Sequence, residues 1–221
     1  MDVLVAGGHG QIARRLLRIL AANGHNARGL IRNPDHAADL EADGAHPVLC
    51  DLEHDELIPH IGGAQAIVFA AGAGPGSGPE RKKTVDLGGA IKCLEAARAT
   101  GVDRFVIVSS IGTHDAEHAG PMQVYLEAKR DADTAVRTSG LSWTIVKPGV
   151  LTDEPGSGTV DIATAFGRRD AVSRDNVALV LYHVLLADNS IRTEFELFDG
   201  PTPAQAAVEA LLPGSGPVNV L

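Results

Sequence analysis

The chain has 221 residues, of which 44% are hydrophobic, and its 28 acidic side chains outnumber its 19 basic ones. This length suits one domain over residues 1–221, with a core that needs no disulfides. The formal net charge of -9 disfavours nucleic acid and anionic membranes as partners, because like charges repel. Two cysteines, no signal peptide and no apolar run of about 18 residues indicate a cytoplasmic protein.

Short apolar segments alternate with helix-like stretches along the chain. The segments are apolar on both faces, which is typical of strands buried between two layers of helices. They lie at residues 3–6, 27–31, 47–50, 66–70, 105–109 and 143–146. We therefore predict a Rossmann-like α/β fold, in which helices flank a doubly wound parallel sheet.

Helical periodicity marks the stretches between these segments. Ile12, Leu16, Ile19 and Leu20 share one helical face, and helices are also predicted near residues 80–100, 123–139 and 175–187.

The C-terminal part of the chain is expected to form a small substrate-side extension, mainly within residues 150–205. A last strand, residues 194–197, is predicted at an edge of the sheet. The Pro- and Gly-rich residues 213–217 are expected to form a loose tail or to dock on a partner subunit, so an oligomer remains open.

A glycine-rich turn follows the first predicted strand. Its spacing is Gly7-x-x-Gly10-x-x-Ala13, and an amphipathic helix follows it. Such a turn lets the backbone approach a pyrophosphate, which then lies at the positive N-terminus of the helix. His9 lies within the turn, where it either contacts the cofactor or remains a free imidazole. The context predicts a dinucleotide site.

The residue after the second strand indicates which dinucleotide binds. An NAD site usually has an acidic residue there, whereas this chain has Arg32. A guanidinium can bind a 2′-phosphate through paired hydrogen bonds, so NADP(H) is favoured over NAD(H). Asp51, after the third strand, is a candidate for the adenine edge, and the alternative is a helix N-cap.

A Ser, Tyr and Lys constellation provides candidate catalytic groups. The fifth strand ends in Ser109-Ser110, and Tyr125 and Lys129 are four residues apart on a predicted helix, where they share one face. An ammonium group stabilises a phenolate, which lets a tyrosine exchange a proton with a carbonyl or an alcohol. A serine hydroxyl can hold the same oxygen. A plain surface contact is the alternative for the Tyr–Lys pair.

The order of these motifs resembles that of the short-chain dehydrogenase/reductases, and most closely their atypical, NAD(P)H-binding, NmrA-like subgroup, which is epimerase/dehydratase-like. The resemblance covers roughly residues 1–200. The motifs that carry it are Gly7-x-x-Gly10-x-x-Ala13, Asp51-Leu52, Ala70-Ala71-Gly72-Ala73, Ser109-Ser110, Tyr125-x-x-x-Lys129, Lys147-Pro148-Gly149 and residues 171–178.

The resemblance implies a role for each matching residue. Gly7, Gly10, Gln11 and Ile12 would meet the pyrophosphate, Arg32 the 2′-phosphate, Asp51 and Leu52 the adenine, and Ala71, Gly72 and Ala73 would line the cofactor groove. Tyr125 and Lys129 would flank the nicotinamide ribose, and Pro148, Gly149 and Val150 would face the nicotinamide.

A metal site is not expected. Residues 114–118, with two histidines and two acids, contain ligand types, but Gly112, Gly120 and Pro121 around them indicate a loop. Cys50 and Cys93 are predicted to be small core residues.

These observations predict an NADP(H)-dependent oxidoreductase that acts on a small carbonyl or alcohol substrate. Two alternatives stay open. One is an NADP(H)-binding redox sensor without turnover, and the other is a sugar-type epimerase or dehydratase.

Overall fold

Strands and helices alternate along most of the chain, as the sequence pattern predicts. The structure is a computed structural model that describes residues 1–74, 76–164 and 167–214. The strands are β1 (Asp2–Ala6), β2 (Asn26–Ile31), β3 (His46–Leu49), β4 (Ala66–Phe69), β5 (Arg104–Val108), β6 (Ser142–Pro148), β7 (Val150–Thr152), β8 (Thr159–Ala163), β9 (Ala171–Ser173), β10 (Thr193–Asp199) and β11 (Thr202–Pro203).

The helices lie between these strands in chain order. They are α1 (Gln11–Ala22), α2 (Ala37–Ala42), α3 (Ile58–Ile61), α4 (Pro79–Arg81), α5 (Ala90–Thr100), α6 (Gln123–Arg137), α7 (Arg174–Leu186) and α8 (Ala204–Glu209). A π-helical segment, Lys82–Gly89, joins α4 to α5. Short 3₁₀ segments occupy Pro34–His36, Thr113–His118, Gly120–Met122 and Asp188–Ser190.

The main sheet has the strand order β11-β8-β10-β6-β5-β4-β1-β2-β3, and neighbours from β3 to β10 run parallel. Apolar side chains of α1 and α7 pack on one face of this sheet, and those of α3, α5 and α6 pack on the other. The Rossmann-like, doubly wound α/β fold is therefore confirmed. In such folds, ligands bind beyond the carboxyl ends of the strands.

The prediction that residues 194–197 form an edge strand is wrong. They belong to β10, which pairs parallel to β6 on one side and antiparallel to β8 on the other. β11 then extends the sheet beyond β8. The sequence does not predict β8, because only Val160 is buried in it. The segment therefore lacks the continuous apolar run that marks the predicted parallel strands.

Two further expectations concern the core and the tail. Cys50 and Cys93 are free thiols in the interior, as predicted. The tail expected at residues 213–217 extends beyond residue 214, outside the described ranges. Within those ranges, every helix is too short or too polar to cross a bilayer.

Candidate active site

The glycine-rich turn packs tightly against the strands beside it. Gly7 has φ +81°, and a Cβ there would lie 2.6 Å from the Cα of Ala71. A Cβ on Gly8 would lie 2.7 Å from the Cα of Gly29. Since backbone atoms cannot yield at these distances, only glycine fits, and no side chain from these positions blocks the groove above the strand ends.

The first turn of α1 is open to an anion. Gly10 is its N-cap and provides no capping side chain, and no acidic residue lies in the first turn. The first amide groups of a helix have no partner within the helix and attract negative charge. This end of α1 therefore fits the pyrophosphate of a dinucleotide.

A cavity of about 270 Å³, the adenosine-side cavity, adjoins this turn and brings together many of the residues predicted to bind the cofactor. Those residues are Gly7, His9, Gly10, Arg32, Asp51, Leu52, Ala71, Gly72 and Ala73. Gln11 lines neither described cavity, and its side chain is exposed at the start of α1. His9 bonds to Asp39 at 2.7 Å and stacks on His36 at 3.5 Å between ring centroids, so its imidazole is not free.

Arg32 is accessible at the rim of this cavity. Its side chain is 57% exposed, and its nearest acidic partner is Glu53, at 3.8 Å. Glu53 also accepts hydrogen bonds from Arg81 and Thr84, each at 2.6 Å, and the Arg81 bond is the main cause that lowers the pKa of Glu53. Sequence reasoning missed Glu53 and Arg81, which add one charge of each sign beside Arg32.

Asp51 stabilises the loop that follows β3. Its carboxylate accepts a bond from the amide of Glu53 at 2.9 Å. The next helix, α3, begins only at Ile58, so Asp51 caps a turn and not a helix. Its side chain still lines the adenosine-side cavity, and its contact with adenine stays a prediction.

A larger cavity, of about 1240 Å³, holds the predicted catalytic groups. Among its lining residues are Ile12, Ala71, Gly72, Ala73, Ser109, Ser110, Tyr125, Lys129, Gly149 and Val150. Pro148 is buried within β6 and does not line it. Several residues between 112 and 126 also line this cavity, together with residues from the expected substrate-side range 150–205.

Lys129 is held at the floor of this cavity. Its ammonium donates to the carbonyl of Val108 at 3.1 Å and lies 3.4 Å from Asp86. Asp86 is fully buried in the π-helical segment, and it also accepts a bond from the amide of Ala73 at 3.1 Å. Sequence reasoning missed Asp86, which ties the helix bearing Lys129 to the loop after β4.

Tyr125 stands between two ammonium groups. The Nζ atoms of Lys82 and Lys129 lie 5.2 and 5.9 Å from the centre of its ring. Lys82 also donates to the carbonyl of Gly74 at 2.9 Å. Lys82 is itself one of the residues that line the cavity.

The two serines after β5 point in different directions. Ser109 is buried, and its hydroxyl donates to Asp133 at 2.9 Å. Ser110 is half-buried, and its hydroxyl donates only to the neighbouring carbonyl of Ile111, at 3.1 Å. Both line the cavity, but only Ser110 has a hydroxyl that is free of a buried partner. This difference favours Ser110 as the residue that holds a substrate oxygen.

A buried ionic network lies behind Ser109. Glu194 is fully buried and binds both Arg137, at 2.7 and 2.8 Å, and Lys147. Lys147 also lies 3.2 Å from Asp133. Burial raises the pKa of Asp133. Burial acts in the same direction on Glu194, but Arg137 and Lys147 outweigh it and lower the pKa of that carboxyl.

Residues 113–118 form a 3₁₀ segment at the cavity mouth. Asp115, Glu117 and His118 are exposed, with ligand atoms within 4.8 Å of one another. His118 bonds to Asp115 at 2.6 Å, and this bond raises the pKa of the imidazole. This hydrogen bond explains why His118 and Asp115 lie close together, and we assign no metal to them.

Known proteins share this architecture. The chain matches a family model described as NAD(P)H-binding over residues 7–188. It is 38% identical over 215 residues to YhfK of Bacillus subtilis, named as an uncharacterized sugar epimerase; the match covers 96% of this chain and 100% of that protein.

Two solved structures superpose over nearly the whole chain. One, from Bacillus halodurans, is named among the NAD-dependent epimerases/dehydratases; it has a TM-score of 0.92 and 37% identity, over 96% of this chain and 100% of that one. The other is the oxidoreductase ylbE from Lactococcus lactis, with a TM-score of 0.83 and 26% identity over 96% of each chain.

Proposed function

Because the chain belongs to the NAD(P)H-binding family of atypical short-chain dehydrogenases/reductases, we propose that it uses NADP(H) to interconvert a small carbonyl compound and its alcohol. The observation that carries this proposal is the position of Tyr125, beside Lys129 and Ser110 in one cavity. That cavity also contains Gly149, which the family likeness assigns to the nicotinamide, and the loop after β4, which it assigns to the cofactor groove.

Each polar group in the cavity has a separate task. A bound nicotinamide cofactor supplies or accepts the hydride. Tyr125 gives its proton to the carbonyl oxygen, and Lys129 stabilises the phenolate that remains. The hydroxyl of Ser110 donates a hydrogen bond to the same oxygen, where negative charge develops in the transition state. Ser109 acts structurally through Asp133.

The preference for NADP(H) rests on Arg32. Its guanidinium is exposed at the rim of the adenosine-side cavity, where a 2′-phosphate can reach it. Arg81 lies 2.6 Å from the same carboxylate oxygen of Glu53 and offsets the charge of that carboxylate. Together the two arginines favour a phosphate over the bare ribose hydroxyl of NAD(H).

A sugar-type epimerase or dehydratase is the second candidate, and the names of the relatives favour it. It would use the same tyrosine, but the cofactor would be regenerated within each turnover. A redox sensor without turnover is the third candidate. Net consumption of NADPH separates the first from the other two.

The test compares two tyrosine variants over a panel of carbonyl substrates. Tyr125→Phe removes one hydroxyl, and turnover should fall by about 10²–10⁴-fold while NADPH affinity is kept. Tyr182→Phe is the matched control, since Tyr182 lies on α7 and lines neither described cavity. Wild-type rates for Tyr125→Phe, on a substrate that the native protein reduces, would refute the assignment.

Lys129→Met gives a second readout. It should lower turnover and also weaken NADPH binding, because the family likeness assigns this ammonium to the nicotinamide ribose. A small-molecule substrate, rather than nucleic acid or membrane, and a cytoplasmic location stay predictions alongside this proposal.

A further inference from the structure

The large cavity has a charge balance opposite to that of the whole protein. The chain carries a formal net charge of -9. The described lining of the cavity nevertheless contains five cations, Lys82, Lys129, Arg168, Arg169 and Arg174, against two carboxylates, Asp86 and Asp115. A cationic cavity in an acidic protein concentrates anions at that place.

Within the part of the chain that the structure describes, two of these cations have no carboxylate partner. The other three are neutralised locally: Lys129 by Asp86, Arg168 by Asp161 and Asp170, and Arg174 by Asp153. Among the described residues, Lys82 bonds a carbonyl oxygen and forms no ion pair. Arg169 is exposed and likewise forms no ion pair within those ranges. Lys82 and Arg169 are therefore available to an external anion.

The same cavity has an apolar wall. Of the nine large apolar side chains that are exposed in the described ranges, three line it, namely Met122, Val150 and Leu151. They are 51%, 60% and 36% exposed. Apolar groups that gather in one concave site, rather than being scattered singly, mark a surface that a ligand covers.

We propose that the substrate is an apolar carbonyl or alcohol compound that bears an anionic group, a carboxylate or a phosphate ester. The anion binds Lys82 and Arg169, and the apolar body covers Met122, Val150 and Leu151. This inference rests on the proposed function, because it assumes that the reacting oxygen lies at Tyr125. Lys82 is 5.2 Å from the Tyr125 ring, so the anion lies within a few bonds of the reacting carbon.

Binding can be measured without turnover. Calorimetry on the full chain saturated with NADP⁺ would compare three probes: 4-phenylbutanoate, 3-phenylpropyl phosphate and the neutral 4-phenylbutanamide. We expect at least one of the anions to bind tenfold more tightly than the amide, or better, since charge-assisted hydrogen bonds are about twice as strong as neutral ones. The anion that binds more tightly shows whether the site prefers a carboxylate or a phosphate ester.

Two double variants test whether the preference for anions comes from Lys82 and Arg169. Lys82→Met with Arg169→Met should bring the anions and the amide to nearly equal affinity. Lys83→Met with Arg130→Met removes the same two charges from outside the cavity and should keep the preference. Lys83 and Arg130 have side chains 63% and 42% exposed, and both lie outside the lining. NADPH affinity, measured on both double variants, reports that the fold is intact.

Several results would overturn the proposal. They are equal affinity for all probes, no binding of any probe at millimolar concentration, or a preference that survives in the cavity variant or disappears in the control. Turnover is scored separately, with 4-oxo-4-phenylbutanoate and its amide. If the anion preference holds and no carbonyl compound consumes NADPH, the proposed function fails and the ligand class stands.

Discussion

Replacing Glu194 by Gln removes one charge from a cluster that is closed to solvent. The carboxylate is fully buried, accepts two hydrogen bonds from Arg137 and contacts the ammonium of Lys147. Removing one partner of a buried ion pair costs about 3–5 kcal/mol, because the remaining charge stays desolvated. The lower end is expected here, since Asp133 lies 3.2 Å from Lys147 and still compensates it.

A loss of about 3 kcal/mol in the free energy of unfolding corresponds to a Tm decrease of about 6–12 °C for a domain of this size. Glu196→Gln is the matched control. Glu196 is equally buried two positions along β10, but it accepts a bond only from the amide of Gly167 and forms no ion pair among the described residues. Removing that charge should leave stability unchanged or raise it.

Urea unfolding at several pH values provides the measurement. The pKa of Glu194 is lowered in the folded protein, so its stabilising contribution is present above the usual glutamate pKa of about 4.3 and is lost as pH falls through the folded value. The difference in the free energy of unfolding between the native protein and Glu194→Gln should therefore become smaller below about pH 4. If Glu194→Gln at neutral pH is no less stable than Glu196→Gln, the network does not stabilise the fold.

Four further predictions concern the cofactor turn, Arg32 and the thiol of Cys93. Gly10→Val should fold but lose NADPH, because the carbonyl of Gly7, 3.1 Å from the new Cβ, needs to shift by only a few tenths of an ångström, while the new side chain covers the first turn of α1. Gly7→Ala should fail to fold, since its Cβ would meet the Cα of Ala71; calorimetry and circular dichroism separate the two outcomes. Arg32→Ala should weaken NADPH at least tenfold and leave NADH unchanged, which parallel titrations would show. Burial raises the pKa of Cys93, so a thiol reagent at pH 8 should modify it only after unfolding.

The sequence predicts the positions of the glycine-rich turn, the first helix and Arg32 because each signal for them is local. A turn after a strand, a helix with one apolar face and a cation after the second strand are all visible within about thirty residues. The structure places Gly7, Gly10 and Arg32 around one cavity. Their contacts with a cofactor stay predictions.

The groups that the sequence did not reveal reach the site across the fold. Asp86 meets Lys129 from a π-helical turn, whose geometry has no simple hydrophobic period. Glu53 lies in an irregular loop, where the chain direction follows from tertiary contacts. The sequence could not separate the roles of Ser109 and Ser110. Successive residues of an extended segment face opposite sides, and the sequence alone does not show which side faces the cavity.

The position of β10 affects how the protein can fold during its synthesis. This strand leaves the ribosome after both of its neighbours, yet it lies inside the sheet between β6 and β8. Until it emerges, the backbone groups along one side of β6 have no partner, and the ammonium of Lys147 lacks the carboxylate of Glu194. An unpaired strand edge invites pairing with another chain. A nascent chain that pauses before Thr193 therefore exposes an unpaired strand edge, and we expect chaperone binding to matter in the interval between the synthesis of β6 and that of β10.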